Sequence, residues 1–111
     1  MNSGKNRRRL GRMLADLGKQ SGADKEYRQA LNIQEKLAAE FPNERDHREE
    51  LAATHNSLGK LLLSVGKRSE AEGEFRQAVI VQDNLADDFP DVRECRQYVA
   101  KYHHNLGILR G

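Results

Sequence analysis

The stretch LGKLLLSVGKRSEAEGEFRQA, residues 58–78, decides the fold, because residues 10–30, LGRMLADLGKQSGADKEYRQA, carry the same pattern 48 positions earlier. Leu10-Gly11 returns as Leu58-Gly59 and once more as Leu106-Gly107. Arg28-Gln29-Ala30 returns as Arg76-Gln77-Ala78, and Phe41-Pro42 as Phe89-Pro90. Residues 10–57 laid over 58–105 without a gap agree at 20 of 48 positions. Most other pairs are conservative, such as Tyr27/Phe75, Leu17/Val65 and Ile33/Val81. A fixed period of this length marks stacked units that each bury a face they could not bury alone. Such an architecture points to a binding scaffold rather than an enzyme.

The punctuation between these landmarks is helical. Pro42 and Pro90 are the only prolines, each directly after a Phe, and proline cannot continue an interior helical ladder. Gly18 and Gly66 suit helix C-caps, where the backbone turns left-handed. Ser21-x-x-Asp24, Ser69-x-x-Glu72 and Asp91-x-x-Glu94 have the form of N-caps backed by an acidic first turn. These marks predict five helices near 6–17, 22–40, 44–65, 70–88 and 92–109. Leu51, His55, Leu58, Leu62 and Val65 step by three and four along one face of the third. No stretch alternates as an amphipathic strand does. The expected fold is all-α, an antiparallel helix-hairpin solenoid. Gly11 and Gly59 fall mid-helix, where glycine costs about 1 kcal/mol relative to alanine. Close approach of a neighbouring helix explains a cost that is repeated.

Composition narrows the function. The chain has 111 residues, enough for one compact core. Aromatics make up 5% with no Trp, so the core must be mostly Leu, Ala and Val. Charged residues reach 32%, which suits long helices with solvated outer faces. A net charge of +2 is too balanced to argue for nucleic acid, which ranks last among partners. A single cysteine, Cys95, supports neither a disulfide framework nor a metal site, so a reduced, cytoplasmic setting is expected. No apolar run approaches the roughly 20 residues a membrane helix needs, and no signal peptide opens the chain. His103 and His104 are adjacent and diverge by about 100° on a helix, so they do not share an ion. No phosphate loop, nucleophile motif or metalloprotease signature occurs. Neither catalysis nor a cofactor is expected.

Leu58-Gly59-x-x-Leu62 followed by Ala71-x-x-x-Phe75-x-x-Ala78 resembles the tetratricopeptide repeat, and Leu10-Gly11-x-x-Leu14, Ala23, Tyr27 and Ala30 repeat its spacing. Two departures stand out. The period is 48 residues rather than about 34, and His55 and His103 occupy a position that often holds a large aromatic. Both are similar to the long-period variant in large bacterial signalling proteins. The resemblance divides the chain into a basic N-terminal tail or incomplete first helix (1–9), two units (10–57 and 58–105) and a truncated third (106–111). It implies a non-catalytic protein–protein interaction scaffold with a concave groove. The groove positions it implies are Arg8 and Arg12, Asn56 and Lys60, and His104 and Ile108, with Lys101 and Asn105 nearby. That stripe is mostly basic and predicts an acidic or carboxylate-ending peptide as partner. Incomplete terminal units predict self-association end to end, or exchange of a helix between copies. An oligomerisation or spacer role in a larger signalling protein is the alternative reading. Tyr98 and Tyr102, which replace Glu50 and Thr54 of the preceding unit, are a local cap, a self-contact or a ligand contact.

Overall fold

The computed structural model describes residues 3–110, and the side chains of residues 4–109. Among the described residues five helices follow one another: α1 (Ser3–Asp16), α2 (Gln20–Glu40), α3 (Arg45–Ser64), α4 (Arg68–Asp88) and α5 (Arg93–Arg110). Each packs on the next, and α1 also touches α3. Links of three or four residues force neighbours to run antiparallel. The result is an all-α helical repeat solenoid.

Two kinds of turn alternate along the chain, and both are built from repeated residues. After α1, Gly18 adopts φ 79°. Its N–H reaches the Ala15 carbonyl at 3.0 Å, and the Lys19 N–H reaches the Leu14 carbonyl at 2.8 Å. Gly66 repeats the arrangement at φ 83°, with Lys67 N–H on the Leu62 carbonyl at 2.8 Å. These paired bonds are the Schellman closure, which glycine permits at little steric cost. After α2 and α4 the turn is different. The Phe41 carbonyl accepts the Glu44 N–H and the Phe89 carbonyl the Val92 N–H, each at 3.1 Å. Pro42 and Pro90 thus occupy the second position of a β-turn, where a fixed φ helps.

The serine caps expected at Ser21 and Ser69 are not formed. The glycine turns are so short that Lys19 and Lys67 both close one helix and open the next. Neither lysine makes a side-chain cap bond, and the helices start at Gln20 and Arg68. The serines therefore lie inside the first turn. Residues 3–9, expected as a basic tail or incomplete helix, are helical from Ser3. Met1, Asn2 and Gly111 lie outside the described residues.

The core is small and periodic. Ala23, Ala30, Ala71 and Ala78 are fully buried, with Tyr27 and Phe75 between them and Leu58, Leu62 and Leu85 filling the seams. A Cβ on Gly11 would sit 2.8 Å from the Tyr27 ring, and one on Gly59 2.9 Å from the Phe75 ring. The close approach predicted from the glycines is thus a ring lying on a bare helix backbone. Two glutamines share the core at equivalent positions, Gln34 and Gln82. Gln82 Nε2 donates to the Cys95 carbonyl at 3.0 Å and ties α4 to α5.

Candidate functional site

The first helices of successive units, α1, α3 and α5, lie side by side and frame a cavity of about 660 Å³. Helical spacing decides which side chains enter it. Arg8 and Arg12, four apart, come from α1; Asn56 and Lys60, four apart, come from α3; Tyr98, Lys101 and Tyr102 come from α5. Acids enter as well, namely Asp16, Glu49 and Glu50.

The predicted groove residues separate into three groups. Arg12, Lys60 and Lys101 line the cavity, and none of them enters an ion pair among the described residues. Lys101 rests with its ammonium 5.7 Å from the Tyr98 ring centroid, within cation–π range. Lys60 feels its neighbours. Burial lowers its pKa from the ordinary lysine value, and the positive charges of Lys101 and Arg12 lower it further. Arg8 also lines the cavity but is committed elsewhere: Nη2 lies 2.8 Å and Nε 3.1 Å from Glu50 Oε2. That pair bridges α1 and α3. Asn56 is buried and its Oδ1 accepts a bond from Asn105 Nδ2 at 2.8 Å, which bridges α3 and α5. Asn105 and His104 fall outside the cavity lining.

Sequence reasoning missed the acids of this face. Glu50 occupies the position that Tyr98 holds one unit later, so the repeat comparison marks the site as variable without revealing the Arg8 contact. Burial raises the Glu49 carboxyl pKa above its ordinary value; Arg45, 3.3 Å away, opposes the shift and Asp46, Glu50 and Glu94 add to it. Beside them Tyr98 and Tyr102 stack at 5.7 Å between centroids and 29° between planes. Burial pushes the Tyr102 phenol up to about 12. The inner ring braces the half-exposed outer one.

The equivalent histidines take separate carboxylates on α4. His55 Nδ1 lies 2.7 Å from Glu74 Oε1 inside the α3–α4 seam, while the exposed His103 Nε2 lies 3.2 Å from Asp83 Oδ1. His55 fills its seam; His103 sits on an open face. Among the described residues no three His, Cys, Asp or Glu side chains converge as a metal site requires. No helix among them is long and apolar enough to cross a membrane.

Residues 7–49, which span most of α1, all of α2 and the start of α3, match the sequence model of the tetratricopeptide repeat. That segment of the chain is similar to one tetratricopeptide repeat. No curated protein and no solved structure matches the chain. Repeats of this kind are protein-interaction scaffolds whose stacked helices create extended concave binding surfaces.

Proposed function

We propose that the chain is a non-catalytic interaction module whose face between α1, α3 and α5 holds an acidic or carboxylate-ending peptide. One observation carries this reading. Arg12, Lys60 and Lys101, from three different helices, enter one cavity, and no carboxylate pairs with any of them among the described residues. Their donors are available to a ligand carboxylate, and charge-assisted bonds are the strong ones. The rigid stack supplies orientation without further ordering cost. Fluorescence anisotropy with labelled acidic peptides tests the reading. Binding should weaken about tenfold or more in the Arg12→Ala, Lys60→Ala double variant, given about 1.5–3 kcal/mol for a bond to a charged group. Undiminished binding by that variant overturns it.

A second reading rests on another face. Leu58 and Leu61 of α3 and Leu106 and Leu109 of α5 are all buried in the core. Their equivalents on α1, Leu10 and Met13, are 42% and 59% exposed, and Leu17 continues the stripe. This apolar strip supports self-association of copies, an assembly role that leaves the cationic face open. Sedimentation velocity across a wide concentration range decides it: Met13→Lys should shift the distribution toward monomer, and a wild-type chain that stays monomeric throughout excludes this reading.

A further inference from the structure

We infer that the ligand group seated among Arg12, Lys60 and Lys101 is a dianion, the phosphoryl group of a phosphorylated serine or threonine peptide. The inference rests on the groove reading above and names its ligand more narrowly. Three cations enter one cavity from α1, α3 and α5, and none forms an ion pair among the described residues. They are close enough that Arg12 and Lys101 both disfavour the charge on Lys60. A single carboxylate brings one negative charge to these three donors. A phosphoryl group brings a charge of about −1.5 to −2 and three acceptor oxygens, one for each side chain.

The surroundings argue for one concentrated charge over an extended polyanion. Glu49, Glu50 and Asp16 line the same cavity and repel a continuous phosphate backbone. Arg8 is held by Glu50 at 2.8 Å and so does not extend the cationic surface. A peptide carries its phosphate on an otherwise uncharged strand and avoids these acids. A nucleic acid, with a charge at every step, does not. Lys101, resting on the Tyr98 ring, is a flexible donor that can leave the ring when the anion arrives.

The test compares one neutral peptide in three forms, with serine, glutamate and phosphoserine at its centre, by fluorescence anisotropy with the intact chain at pH 7.5. The phosphoserine form should bind about tenfold or more tightly than the glutamate form, since it brings up to one further unit of charge to the cluster. That advantage should shrink when the pH is lowered to about 5, below the second phosphate pKa near 6. It should also fall in Lys60→Met and in Lys101→Met, with helix content checked by circular dichroism, while Lys60→Arg should retain it. Equal binding of the glutamate and phosphoserine forms overturns the phosphoryl assignment and leaves the acidic-peptide groove intact. Binding of neither form overturns both. A single-stranded oligonucleotide of similar length that binds as tightly as the phosphopeptide overturns the assignment to a peptide.

Discussion

The Phe75 ring lies on the backbone of Gly59, so close that a Cβ there would stand 2.9 Å from ring carbons Cδ1 and Cε1. The contact joins α3 to α4 and is repeated between Gly11 and Tyr27, where α1 meets α2. It converts a residue that weakens a helix into the residue that lets two helices approach.

A helix-propensity argument predicts that Gly59→Ala stabilises by about 1 kcal/mol. The contact predicts the reverse, because an added methyl displaces a ring that is itself enclosed in the core, and overpacking costs about 1–3 kcal/mol. Gly73 in α4 is the internal control, since a Cβ there meets nothing within 4 Å. Urea unfolding should show Gly59→Ala destabilised and Gly73→Ala stabilised by about 0.5–1 kcal/mol. Equal shifts in one direction would falsify the ring-on-backbone account.

The two buried glutamines invite a paired experiment. Gln82 Nε2 donates to the Cys95 carbonyl, whereas both amide atoms of Gln34 are buried without a protein partner among the described residues. Replacing Gln82 by Met removes a bond worth about 1 kcal/mol. Replacing Gln34 by Met, of similar shape, removes an unpaired buried amide that costs about 1–3 kcal/mol. Gln34→Met should therefore be neutral or stabilising and Gln82→Met destabilising. Thermal midpoints of the two variants check this; a loss of stability in Gln34→Met contradicts it.

Much of the fold was legible because equivalent residues do equivalent jobs. Leu-Gly, Ala-x-x-x-Phe/Tyr-x-x-Ala and the two glycine turns each recur 48 residues on, and a pattern stated twice leaves few alternatives. The serine caps misled because capping motifs describe a helix entered from a free loop. Here the Schellman turn delivers the chain directly into the next helix at Lys19 and Lys67. The candidate site was half legible. The family resemblance implied Arg8, Arg12, Asn56 and Lys60 as groove positions, but the contacts that decide their roles run between positions that are not equivalent. Arg8 pairs with Glu50, although its repeat counterpart is Asn56, and Asn56 pairs with Asn105, the counterpart of Ser57. A period compares like with like and says nothing about such cross-register contacts.

Glu49 gives the stability curve a predictable slope. Burial raises its pKa in the folded chain, so between the unfolded and folded pKa values the native state holds a proton that the unfolded chain has released. Such a group favours folding fully below its unfolded pKa, and the contribution fades as pH rises through the folded pKa. Between the ordinary carboxylate range and neutrality, Glu49 therefore subtracts stability as pH rises. Glu49→Gln should flatten that part of the curve. Unfolding midpoints of wild type and variant from pH 4 to 7 provide the comparison, and parallel curves would refute the assignment.

Arg8 and Arg12 lie one turn apart on α1, both line the cavity, and they are predicted to do different work. Arg8 is held by Glu50 through two nitrogens, with both side chains about four-fifths buried. Removing it leaves the largely buried Glu50 carboxylate without its bridge to α1. Arg12 is exposed and pairs with no carboxylate among the described residues. Arg8→Met should therefore lower stability by about 1–2 kcal/mol, since bonds to charged groups are worth about 1.5–3 and solvent screens part of that. Its effect on acidic-peptide affinity should be small. Arg12→Met should leave stability within about 0.5 kcal/mol, as surface changes do, and weaken the peptide several-fold. A double-mutant cycle between Arg8→Met and Glu50→Gln isolates the bridge, and a coupling energy near zero would show that the pair does not hold α1 to α3. The converse profile, with Arg8 governing affinity and Arg12 governing stability, would move the ligand toward α1's N-terminal turns and away from Lys60.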